Sequence, residues 1–182
     1  MASDPSWEDV LRFWFEEVSP PQWWTVDPAF DRQIAERFAD VHARATRAEL
    51  YAWRAEPAGR LAEIIVVDQF SRNMHRGHAA AFAHDMMAVV LAQEAVAAGA
   101  DLELPVERRA FLYMPYMHSE SRLIHVEAER LFAERAPANL DFELRHKAIV
   151  DRFGRYPHRN RILGRPSTPE EEAFLREPGS SF

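Results

Sequence analysis

Apolar residues recur along this chain at three- and four-residue spacing, and the pattern stops wherever proline, glycine or a short polar run intervenes. Trp7, Val10, Leu11, Trp14, Phe15 and Val18 follow the i, i+3, i+4, i+7 rule of one amphipathic helix. Ser6 and Asp9 frame its start as a capping box, and Ser19-Pro20-Pro21 ends it. Trp23-Trp24 falls in the connection and is expected to plug the edge of a core. Asp27-Pro28 opens a second helix with the stripe Phe30, Ile34, Phe38, Val41 and Ala45, and Leu50 and Trp53 extend the apolar signal to Glu56-Pro57. Leu61 to Val67 is rich in β-branched residues. It reads as a buried helix, because no second strand candidate exists to pair with it.

That run passes into Asp68-Gln69-Phe70-Ser71-Arg72-Asn73 and a loop at Met74 to Gly77. Ala79 to Ala98 predicts one helix closed by Gly99, and Pro105 opens the next, which Pro115 kinks or ends. His118-Ser119-Glu120-Ser121 opens a further helix through Phe132, and Asp141 to Phe153 forms another that Gly154 stops. Thr168-Pro169-Glu170-Glu171 is a capping box before a short helix anchored by Phe174 and Leu175. The pattern predicts an all-α protein of about eight helices in antiparallel pairs, a bundle or short solenoid. One domain over 1–182 is expected, with disordered ends at 1–5 and 177–182. No self-similarity near 34 residues is legible.

Composition changes the picture in three places. A hydrophobic share of 47 % makes the 182-residue chain globular, and its net charge of −7 argues against nucleic-acid binding. The absence of cysteine excludes disulfides, thiolate metal sites and a cysteine nucleophile. The first residues lack the basic and apolar regions of a signal peptide, and no uninterrupted apolar run approaches the ~18 residues of a membrane span. A cytoplasmic protein with no membrane partner is the expectation. A homodimer is compatible with the many tryptophans and phenylalanines.

The charge is unevenly placed. Arg152 to Arg165 holds five arginines and a histidine and no acid; removing those five from 22 basic residues leaves 17 against 29 acidic. All basic residues but Lys147 are arginine, so only the clustering is informative. Arg155, His158, Arg159 and Asn160 can form a fork for a carboxylate or phosphate; the same arginines can instead pair with Asp68, Glu120 or Asp85. Asp68 with Arg72 one turn on, beside Asn73, can orient a polar ligand or tie down the loop after it. His118 and Glu120 are candidates for acid–base work, with His158 as a third. The pairs His125/Glu129 and His75/His78, with His84 nearby, are weak metal patterns, and no metal or cofactor is expected.

With these residues in view, the chain resembles the bacterial family known as domain of unknown function 924. The matching pieces are Phe13-Trp14-Phe15, the block from Leu61 to Gly77, Tyr113-Met114-Pro115 with His118-Ser119-Glu120, and Arg152 to Arg165 with Thr168-Pro169-Glu170-Glu171. Ser71 stands where the family usually has proline, His75 where an aromatic or apolar residue is usual, and His125 where glutamine is common. The resemblance implies an all-α fold similar to tetratricopeptide-repeat proteins and implies no activity. Three readings are compatible with these residues. One is a module that binds a small anionic ligand or acidic peptide through Asp68, Arg72, Asn73, Arg155, His158, Arg159 and Asn160. Another is an enzyme, hydrolase-like, using His118 with Glu120 or His158. The third is a scaffold whose charges form a buried ionic lock.

Overall fold

A computed structural model describes residues 5–181, and among the described residues every regular element is helical. α1 (Trp7–Arg12) begins at the expected capping box. The Ser6 hydroxyl accepts from the Asp9 amide and the Asp9 carboxylate accepts from the Ser6 amide at 2.9 Å. A π turn at Phe13–Glu17 continues it. α2 (Pro28–Thr46) starts at Asp27, whose Oδ1 accepts from the Ala29 amide at 2.8 Å. Its stripe from Phe30 to Ala45 is buried throughout, each large side chain adding about 1.5–3 kcal/mol of apolar burial.

α3 (Pro57–Ile65) runs through a π turn at Val66–Phe70 into α4 (Ser71–Met74), so the β-branched segment is helical as expected. Leu61, Ala62, Ile64, Ile65, Val66 and Val67 are all buried, which explains why Glu63, buried and held by Arg54, is the one charge in this run. α5 (Asp85–Ala97), α6 (Ala100–Glu103), α7 (Val106–His118), α8 (Arg122–Arg135), α9 (Leu140–Phe153) and α10 (Pro169–Phe174) complete the chain. Gly99 and Gly154 end their helices in the left-handed conformation, φ 72° at both.

The main core is a single large hydrophobic cluster. α3 packs on α1, α5 and α7; α5 packs on α7, α7 on α8 and α8 on α9. Trp14, Phe13, Phe38 and Phe70 meet at its centre, and Trp23 closes one edge against Trp14 and Phe111. Trp23 donates its indole N–H to the Trp14 carbonyl at 3.0 Å, while Trp24 stays exposed. A smaller cluster of Ile149, Val150, Tyr156 and Phe174 seats the arginine-rich segment and α10.

Three boundaries differ from the sequence reading. The single helix expected over 79–98 is a 3₁₀ turn at Ala79–Phe82 and a separate α5. Together Ala79–Ala97 reach the length and hydropathy of a membrane-spanning helix, which a search for uninterrupted apolar runs misses; Ala88, Val89, Leu91, Ala92 and Ala95 of this stretch face the protein core. Pro115 sits inside α7 rather than ending it, and His118 is the last residue of α7 rather than the first of α8. Of the ends expected to fray, residues 1–4 and 182 lie outside the described residues. Ser180 is buried and donates its hydroxyl to the Leu175 carbonyl at 3.2 Å.

Candidate functional site

The π turn before α4 brings a fully buried carboxylate, Asp68, against the end of α7. One extra residue in a helical turn rotates the rest of the helix by about 100°, a device common where a helix must aim a polar group inward. Asp68 Oδ1 meets Arg72 Nη1 at 3.0 Å and His118 Nδ1 at 2.9 Å, and Oδ2 accepts from Gln69 at 2.6 Å. Arg72 reaches on to Asp85 at the start of α5 as a bidentate pair, 2.9 and 3.0 Å. Asp85 Oδ2 also accepts from Arg159 Nη1 at 3.1 Å, and Arg159 Nη2 donates to the His118 carbonyl at 3.0 Å. The guanidinium of Arg159 lies 4.6 Å from the Phe82 ring centre and 4.7 Å from that of Tyr156.

This cluster forms one end of a groove of about 600 Å³ between α5 and the start of α8. Phe82, Met86, Val89, Val90, Ile124 and Leu163 make its apolar wall; His118, Glu120, Asp85 and Arg159 make its polar end. Such a volume and lining match small-molecule sites. α5 has only Asp85, Gln93 and Glu94 as polar residues, and Met86 and Val90 are 81 % and 51 % exposed along the groove.

Electrostatics fix the protonation states. Burial alone would raise the Asp68 carboxyl, but the charge of Arg72 and the hydrogen bond from His118 outweigh it and hold the group ionised far below the usual carboxylate range. His118 is lowered, by burial first and then by the charge of Arg72. Those two partners pull differently, and the reason is geometric: Arg72 already neutralises Asp68, so little field is left to hold a proton on His118. A neutral His118 facing an ionised Asp68 must donate from Nδ1, and among the described residues no group meets its Nε2. Arg159 is lowered, by burial and by Arg72. It is 5 % exposed, its Nε–H has no acceptor among the described residues, and its five N–H groups meet only the two oxygens named above.

The remaining expected residues are engaged nearby. Glu120 is gripped by Arg165 at 2.6 and 2.8 Å and accepts the Tyr156 amide at 2.8 Å. Burial would raise it, but Arg165 and that amide lower it, so at neutral pH it has no proton to give. Arg155 holds Glu171 at 2.7 Å through two bonds, and Asn160 bonds Ser167 and Glu171 at 3.1 and 3.3 Å. Asn73 donates to Asp31 at 2.8 Å. His158 packs against the Tyr156 ring at 5.6 Å, and burial followed by the charge of Arg159 depresses it to about 4. The structure thus brings Asp68, Arg72, His118, Glu120 and Arg159 to one place, seats Asn73 in a separate pair with Asp31, and links Arg155 and Asn160 to Glu120 through Glu171 and Arg165. His125 is buried on Glu143 at 2.7 Å, and among the described residues no group of three or more His, Asp or Glu is placed to hold a metal ion.

The sequence reading did not find the groove wall. Its signal is the surplus of apolar residues in α5, more than one buried stripe can hold. Asp85 was visible only as one of three acids an arginine could meet. Glu171 caps α10 as its sequence context predicts, and it also anchors Arg155.

An all-helical bundle with a buried ionic cluster at the head of an apolar groove is the class that fold and site define. The chain belongs to the bacterial family of proteins of unknown function DUF924, whose model matches residues 10–179. A protein of unknown function from Agrobacterium tumefaciens has a similar structure, with a TM-score of 0.89 and 38 % identity over 93 % of this chain and 96 % of that one. Comparison with curated proteins finds no match.

Proposed function

We propose that the protein binds a small amphipathic anion, an acid with an apolar tail, with the tail along α5 and the head group on Arg159. The observation that carries this reading is a guanidinium 5 % exposed whose five donors meet two acceptors, placed where an apolar groove ends. A buried donor left unmet costs about 1–3 kcal/mol, and a carboxylate or phosphate head removes that cost with charge-assisted bonds. Arg72, Arg159 and Arg165 balance Asp68, Asp85 and Glu120, so a bound anion is the one unbalanced charge.

The competing reading is an ionic lock without a ligand, favoured by the unbroken chain Asp68–Arg72–Asp85–Arg159. Titration with octanoate, octyl phosphate and octanol, followed by calorimetry and thermal shift, separates the two. A ligand at 100 times its Kd adds about 2.7 kcal/mol, which raises the midpoint by several degrees at roughly 2–4 °C per kcal/mol. Met86→Glu puts a charge on the exposed groove wall without touching the ionic cluster. It should leave the unliganded midpoint within about 0.5 kcal/mol of the parent and weaken octanoate binding at least about tenfold. No binding by either acid would leave the lock as the reading.

A further inference from the structure

The groove end holds more than a cation. Asp68, His118 and the groove stand in the relation of orienting acid, base and substrate space. Asp68 is fully buried and fixed by Arg72 and Gln69, so it cannot turn away; its Oδ1 takes the Nδ1–H of His118 at 2.9 Å. That bond selects the tautomer whose lone pair is on Nε2, the ring nitrogen without a partner among the described residues. His118 lines the groove, and its side chain keeps 15 % of its surface open there. The under-bonded guanidinium of Arg159 lies at the same end.

We infer that this is a hydrolytic site, in which His118 activates water against an ester of an apolar carboxylic acid. The inference rests on the proposed binding of an apolar-tailed acid, which becomes the product. His118 Nε2 removes a proton from water as the water oxygen bonds to the ester carbonyl carbon, and the carbonyl π pair moves onto its oxygen beside Arg159. The tetrahedral intermediate then collapses, the carbon–oxygen bond to the alcohol breaks, and the proton on Nε2 passes to the departing alkoxide. Carboxylic acid and alcohol leave, and no other reactant is consumed. His118 is the catalytic residue. Asp68 is a positioning residue, which acts only through the imidazole it orients. Glu120 stays ionised on Arg165 and takes no part.

The groups facing His118 set its pH profile. They are Asp68 and Arg72 from the α3–α4 segment, Asp85 from α5, His146 from α9 with its ring 6.4 Å away, and Arg159 with His158 from the arginine-rich segment. Burial and Arg72 favour the neutral base, so the rate should hold level at neutral pH and fall only on acidification below the ordinary histidine range.

The test is release of p-nitrophenol from p-nitrophenyl acetate, butyrate and octanoate by the full chain, with octanoate binding measured separately by calorimetry. The wild type should turn over octanoyl ester above the buffer blank and prefer it to acetyl. H118Q should lose about 100-fold or more in kcat/KM, the scale of a general base, while octanoate binding changes no more than about threefold. D68N should lower kcat with little change in KM and move the acid limb of the pH profile. H118N, whose amide can still donate to Asp68, serves if circular dichroism finds H118Q unfolded. Turnover unaffected by both His118 variants overturns the inference. Octanoate binding without turnover of any of the three esters overturns it and leaves the binding reading intact. Neither binding nor turnover overturns both.

Discussion

Two guanidiniums in the same cluster, Arg72 half-buried and Arg159 buried, have different consequences when removed, because their carboxylates have different second partners. Arg72 is the direct ion-pair partner of Asp68 and the bidentate partner of Asp85. Arg72→Met would leave Asp68, at 0 % exposure, with only His118 and Gln69, and Asp85 with one bond from Arg159. A buried charge orphaned this way costs roughly 3–5 kcal/mol. Arg159→Met leaves Asp85 still held by both bonds of Arg72, so urea unfolding should register a smaller loss, roughly 1–2 kcal/mol. Equal losses would mean that Arg159 is as much a part of the lock as Arg72. They would remove the reason for regarding it as a donor waiting for a ligand. At this scale much was readable in advance. Asp68 and Arg72 are one helical turn apart, and Asp85 and Glu120 were among the acids expected to meet arginines; both do. The distinction between Arg159, buried with spare donors, and Arg155, held by Glu171 and the Pro166 carbonyl with its side chain partly open to solvent, depends on tertiary placement that spacing does not encode.

Elements were legible where the chain carries its own stop and start chemistry. Ser6 with Asp9, Asp27-Pro28, Thr168-Pro169 and Gly154 all cap the helices they were read to cap, since each supplies a hydrogen bond or a backbone conformation locally. The failures share a cause. Ser119-Glu120-Ser121 looks like a helix start, yet Ser121 is the N-cap of α8 and His118 closes α7, because Glu120 is drawn out to Arg165 and the Tyr156 amide. Ala79 to Ala98 has uniform helix propensity, and its break reflects tertiary demands at Asp85, which must face Arg72 and Arg159. One glycine matters for approach rather than for turning. Gly59 is in the first turn of α3, and a Cβ there would run into the backbone carbonyl of Trp53 in the preceding 3₁₀ turn. Alanine would gain about 1 kcal/mol of helix propensity and lose more to that overlap. Gly59→Ala should therefore lower stability by roughly 2 kcal/mol, read as a reduced urea midpoint with an unchanged m-value. A stabilised Gly59→Ala would mean that the 3₁₀ turn yields and does not fix where α3 begins.

The molecule as a whole keeps several histidines uncharged, and this sets its response to acid. His42 is lowered to about 4 by burial and by His75 and His84; His146 is lowered to about 3 and His158 to about 4, burial leading in both. In the unfolded chain each takes its proton near 6.5, so between that value and the folded ones the unfolded state binds more protons. Stability from these groups is complete above pH 6.5 and is lost as pH falls toward 4. At pH 5 each costs roughly 2 kcal/mol, and three together approach the whole stability of a domain. The lowered carboxylates Asp68, Glu120 and Glu171 respond in the same direction, but only below their ordinary values, 3.8 for the aspartate and 4.5 for the glutamates. Glu143, raised by burial, opposes them by gaining its proton in the fold. The histidines therefore act first. The midpoint temperature should be level from pH 8 to 7 and fall by roughly 10 °C or more between 6.5 and 5, at about 2–4 °C per kcal/mol. His42→Gln combined with His146→Gln should flatten that fall by about two protons' worth of slope. A midpoint constant down to pH 5 would mean that the buried imidazoles take up protons in the folded state, and the neutral His118 on which general-base hydrolysis depends would lose its support.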